Sequence, residues 1–139
     1  MLNMATAVKE AHHWQSVRTP RQRKNRCLGM MRKVLGLVGG KLPWRSYLFN
    51  TALANHNTLA KNPGKWGWTP YKGDLKPGIY LAYFRWCGRL KDGREAGHVC
   101  FLVLRHDEKR QLVGQLVSND NYTWTKFWKA KLVGTYVPI

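Results

Sequence analysis

The sequence predicts an α+β fold in which N-terminal helices pack on a C-terminal antiparallel β-sheet. Apolar residues recur at helical spacing through about residue 60, and a segment rich in Gly and Pro occupies Lys61 to Pro77. Unbroken apolar runs of strand length follow it. Helices first and strands afterwards, in a chain of 139 residues, predict one domain over 1–139, with the helical part at about 1–60 and the strand-rich part at about 73–139.

The first helix is expected from Ala5, Val8, His12 and Gln15, which recur at steps of three and four with no breaker before Pro20. A second is expected from Cys27 to Leu35, where Leu28, Met31, Val34 and Leu35 share a face and Gly36, then Gly39-Gly40, end it. A third runs from about Trp44 to Leu59. Turn chemistry fills the next stretch, through Pro63, Gly64, Gly67, Pro70, Gly73, Pro77 and Gly78. Strands are then expected at Ile79–Phe84, Gly97–Leu104, Gln111–Val117 and Lys131–Ile139. The short charged segment between the second and third of these predicts a hairpin.

Charge is the outstanding feature of the composition. Twenty-four Lys and Arg oppose seven Asp and Glu, a formal net charge of +17. Such an imbalance repels itself in the folded state and suits a polyanionic partner: nucleic acid, an anionic wall polymer or acidic lipid. Seven of the basic residues crowd between Arg18 and Lys33. A hydrophobic content of 44% excludes a disordered tail, and no apolar run approaches the ~20 residues of a membrane span. The opening MLNMATAVKEAHHWQ lacks the apolar stretch of a signal peptide. Cys27, Cys87 and Cys100 are odd in number and widely spaced, which suits neither a disulfide framework nor a zinc site.

Two residues are candidates for chemistry. Cys27 falls where a helix begins, and free N–H groups, the helix dipole and nearby Arg23, Lys24 and Arg26 all favour a thiolate. A small buried apolar residue, the usual fate of free cysteine, also suits this position. His98 follows Gly97 at the head of a strongly apolar strand, as a core histidine with a polar partner or as a base. Cys87 and Cys100 sit in apolar runs and read as core. The cluster Ser118-Asn119-Asp120-Asn121 reads first as a turn.

The order of these segments resembles the papain-like peptidoglycan amidases, the CHAP domains and their NlpC-type relatives. Cys27-Leu28-Gly29-Met30-Met31-Arg32 is similar to the family's nucleophile helix, Leu75-Lys76-Pro77-Gly78-Ile79-Tyr80 to its Pro-Gly strand entry, and Gly97-His98-Val99 to its Gly-His-Val strand. Ile79 stands where the family often has Asp, and Arg26 where it has a neutral polar residue. The resemblance implies a cell-wall hydrolase cleaving an amide or peptide bond of peptidoglycan, with Cys27 as nucleophile, His98 as its base and no metal or cofactor. It also implies a phage lysin or virion component, made in the host cytoplasm and acting on the wall after holin release or from the particle. Asn25 and Gln22 are nearby amides for the oxyanion.

The residue that orients His98 is narrowed by hairpin geometry. An even-length loop sets His98 directly opposite Asn119, whose amide oxygen then holds one imidazole nitrogen. An odd-length loop brings Ser118 or Asp120 across instead, with Asp120 the reserve candidate. The competing functional readings are a basic nucleic-acid-binding protein, supported by Trp124, Phe127 and Trp128 among Lys126, Lys129 and Lys131, and an inactive structural virion protein of the same fold.

Overall fold

A computed structural model describes residues 2–43, 51–85, 88 and 93–139. The chain forms helices α1 (Met4–Ser16), α2 (Pro20–Arg23), α3 (Cys27–Leu37) and α4 (Ala52–Lys61), then strands β1 (Trp68–Pro70), β2 (Gly78–Phe84), β3 (His98–His106), β4 (Leu112–Val117) and β5 (Asn121–Thr123). Helix α5 (Lys126–Ala130) and strand β6 (Leu132–Pro138) close it. The expected class holds: N-terminal helices pack on a six-stranded antiparallel sheet of order β1-β6-β2-β3-β4-β5.

Each helix differs in detail from its sequence expectation. In α1 the buried stripe is Ala7, Ala11 and Trp14, while Ala5 and His12 are exposed. Small alanines let the helix approach the sheet, and the large Trp14 closes its end. Gly36 does not stop α3, which continues to Leu37. The reversal comes at Gly39, whose φ of 88° is left-handed, and Gly40 N–H returns to the Leu35 carbonyl at 2.7 Å. Helix α4 starts at Ala52, behind the Thr51 hydroxyl that accepts the Ala54 N–H at 3.1 Å. The earlier part of the expected helix, residues 44–50, lies outside the described residues, as does Cys87.

The apolar runs are unbroken because the central strands are covered on both faces. Leu81, Tyr83, Val99, Phe101 and Val117 face α1, α3 and α4. Their neighbours Tyr80, Ala82, Phe84, Cys100, Leu102 and Leu116 pack on the other face with Trp128 of α5. No described helix is long and apolar enough to cross a membrane.

The β3–β4 register departs from the even-loop expectation by one residue. The pairs run from His106↔Leu112 to Phe101↔Val117, around the five-residue loop Asp107–Gln111. The Asp107 carboxylate accepts the N–H groups of Lys109 (2.9 Å) and Gln111 (2.8 Å), and Arg110 adopts a left-handed φ of 60°. That Asp-nucleated turn takes one more residue than a four-residue loop closing on His106 and Gln111, and this shifts the ladder.

Candidate active site

Cys27 is the first residue of α3. The preceding turn is made sharp by Asn25, a non-glycine residue at φ 58°, a conformation that Asn tolerates better than most. Arg26 provides no side-chain cap, so the first N–H groups of the helix stay available. Hydrogen bonding from the backbone N–H groups of Val99, Leu28 and Cys27 itself favours the thiolate form of Cys27. The sulfur therefore lies beside the peptide that follows His98. Burial pushes the thiol above its usual range, and these hydrogen bonds only partly offset that effect. The expectation of an acidified Cys27 is thus corrected: desolvation outweighs the helix terminus, and the resting group is a thiol. Cys100 is fully buried, as expected of a core cysteine, whereas Cys27 is only partly so.

His98 opens β3 opposite Phe84 and is buried. Its ring packs edge-on against Tyr122 (5.6 Å between centroids) and obliquely on Trp128 (5.5 Å). This apolar wall lowers the imidazole to about 4, because burial disfavours the charged form. Gly97 cannot be another residue without rearrangement. Its φ is 74°, and an added Cβ would stand 2.5 Å from Leu53 Cγ and 3.0 Å from the Phe84 carbonyl oxygen. The Gly-His dipeptide thus has a packing reason independent of chemistry.

The partner of His98 is Ser118, not Asn119. The ladder ends at Phe101↔Val117, and the chain turns with Ser118 N–H bonded to the Asp120 carbonyl. Ser118 Oγ lies 3.1 Å from His98 Nε2 and 3.0 Å from Asn119 Oδ1. The hydroxyl has one proton, and Asn119 Oδ1 can only accept it. Ser118 Oγ then accepts from Nε2–H, which leaves Nδ1 as the basic nitrogen of a neutral ring. Asn119 is linked to the imidazole through this hydroxyl.

The rest of the polar cluster is a clamp between the sheet and the segment that carries Cys27. Asn119 Nδ2 donates to the Arg23 carbonyl at 3.0 Å, and Arg23 Nε pairs with Asp120 Oδ1 at 2.9 Å. Gln15 Nε2 reaches the Ser118 carbonyl (2.6 Å) and Asn121 Oδ1 (2.8 Å). Asp120, the reserve candidate, is therefore engaged by Arg23. Gln22 Oε1 accepts the Thr19 N–H at 2.8 Å in a capping box, so its possible contribution to the site is the Nε2 donor.

Cys27, His98, Asn119, Asp120, Asn25 and Gln22 all line one cleft of about 1830 Å³. Sequence reasoning missed Gln15 and Arg23, whose links to the cluster span about a hundred residues of chain and leave no local trace. It also missed a buried polar group behind the site. Tyr83 Oη donates to Asn55 Oδ1 at 2.6 Å, and His56 Nε2 meets Tyr136 Oη at 2.7 Å. Trp128, expected as part of an aromatic and basic surface, belongs to the core, while Phe127 is 48% exposed. No family model, curated protein or solved structure matches the chain.

Proposed function

We propose that the protein is a cysteine-dependent hydrolase of the CHAP and NlpC type, cleaving an amide or peptide bond of bacterial peptidoglycan. The observation that carries this reading is the placement of a helix-initial Cys27 and a strand-initial, Ser118-bonded His98 in one cleft. A neutral imidazole and a neutral thiol are the resting states that the two perturbed groups of this cleft favour. In the reaction His98 Nδ1 takes the thiol proton as sulfur attacks the carbonyl carbon. The imidazolium formed is held through Nε2–H on Ser118 Oγ, then returns its proton to the leaving amine. Water, deprotonated by the same nitrogen, releases the acyl group from sulfur. The N–H groups of Cys27 and Leu28 at the helix start, with Gln22 Nε2 or Asn25, are the donors available to the oxyanion.

The test is digestion of purified peptidoglycan by the wild-type protein and by Cys27→Ala, with mass spectrometry of the released fragments. Cleavage by the first and none by the second is expected. Intact wall in both would remove the reading and favour the non-catalytic alternatives.

A further inference from the structure

The charged residues that α3 and the segment before it bring to the cleft are all basic. Arg18, Arg21, Lys24, Arg26 and Lys33 line the cleft, contributed by the connection after α1, by α2, by the turn before Cys27 and by α3. Among the described residues the only acidic one lining the cleft is Asp120, whose carboxylate is held by Arg23. Among the described residues the ion pairs are Arg23–Asp120 and Arg85–Glu95, so no carboxylate there neutralises any of the five. Arg21, Lys24, Arg26 and Lys33 are exposed. Arg18 is held in place, donating to the Trp14 carbonyl at 3.0 Å with its guanidinium 4.3 Å from the Trp14 ring centroid. The described residues Thr51, Ala52, Ala96, Gly97, His98 and Tyr122, which also line the cleft, bring no charge at neutral pH.

A concave site lined by one sign of charge concentrates ligands of the other sign, more strongly than the same charges on a flat surface. Lys24 and Arg26 shortly precede Cys27 and Lys33 follows it on the same helix, and all of them line the cleft that holds the sulfur. At neutral pH the anionic groups of a peptide are carboxylates, which arginine forks and lysine ammonium groups both bind. We propose that the cleft selects acidic peptides, with free carboxylates close to the bond presented to Cys27, over their amidated counterparts. The peptide character of the ligand rests on the hydrolase reading, whereas its charge rests on the cleft alone.

The test is binding to Cys27→Ala, which cannot turn the ligand over. The probes are a fluorescent alanine-rich peptide carrying glutamates and a free C-terminal carboxylate, and its twin with glutamines and a terminal amide. Fluorescence anisotropy at low salt should show the acidic peptide bound roughly tenfold more tightly, with the preference collapsing by about 0.5 M sodium chloride. Adding Arg21→Ala, Lys24→Ala and Lys33→Ala should bring the two peptides to within about twofold of each other. The salt series on the unaltered cleft keeps the test decisive if that variant folds poorly. Equal binding of the twins at low salt overturns the proposal, as does a preference that survives the triple substitution in a folded protein. Tighter binding of a single-stranded oligonucleotide of matched charge also overturns it, in favour of nucleic acid. Peptidoglycan digestion is scored separately: a carboxylate preference without digestion leaves the cleft's selectivity standing and ends the hydrolase reading, and digestion without a preference does the reverse.

Discussion

Replacing Ser118 by alanine removes one oxygen from a site with no solvent to substitute for it. Ser118 is completely buried and His98 is 1% exposed. The hydroxyl accepts from His98 Nε2–H at 3.1 Å and donates to Asn119 Oδ1 at 3.0 Å, so its loss leaves a buried donor and a buried acceptor unpaired together. An unsatisfied buried group costs about 1–3 kcal/mol, and partial relaxation of the Asn119 amide argues for a combined destabilisation of about 2–3 kcal/mol. The effect on catalysis is distinct. Without Ser118 the proton is free to sit on Nδ1, where the ring is no base toward Cys27, and the imidazolium loses its acceptor. A bias of about 1.4–2.7 kcal/mol in that step is a loss of roughly 10- to 100-fold in kcat. Asn119→Ala should do less, because it leaves the hydroxyl in place and removes only the acceptor that orients it. The assays are clearance of a peptidoglycan suspension and urea unfolding of the same preparations. Wild-type turnover and unchanged stability in Ser118→Ala would refute the assignment. A larger catalytic loss in Asn119→Ala than in Ser118→Ala would refute the ordering of the two.

Three further expectations follow from burial of the catalytic pair. The His98 imidazole titrates near 4 in the folded protein and near 6.5 when unfolded, so between those values the unfolded chain binds the extra proton. Stability from this group is therefore complete above pH 6.5 and falls as the pH drops towards 4, by roughly 3 kcal/mol in all. The acid limb of kcat/KM should lie well below pH 6, and a limb at the ordinary histidine value, measured alongside intact circular dichroism, would contradict a buried neutral base. Iodoacetamide should label Cys27 before the fully buried Cys100, but slowly at neutral pH, with a rate that still rises through pH 9 because burial raises the thiol. A labelling rate, followed by peptide mapping, that is already flat between pH 6 and pH 8 would reveal a preformed thiolate and reverse this account.

Features set by local chemistry were legible in the sequence alone. The change from helical spacing to apolar runs, across a segment full of Gly and Pro, determines the order helices-then-sheet. The placement of Cys27 at a helix start and of His98 after Gly97 at a strand start depends on short-range patterns and appears as expected. The short elements α2, β1, β5 and α5 did not declare themselves, because three to five residues carry too little periodicity. Three properties of the site belong to the tertiary structure. Loop parity, set by the two hydrogen bonds that Asp107 accepts and a left-handed Arg110, takes Asn119 out of register with His98, and the turn that follows the end of the ladder at Val117 brings Ser118 to the imidazole. The state of Cys27 is a contest between a helix terminus, visible in the sequence, and burial against the sheet, which exists only once distant segments pack. The clamp from Gln15 and Arg23 to residues 118–121 joins groups about a hundred positions apart. Hydrogen bonds and desolvation act over a few ångströms of space, and only the folded chain specifies which residues share that space.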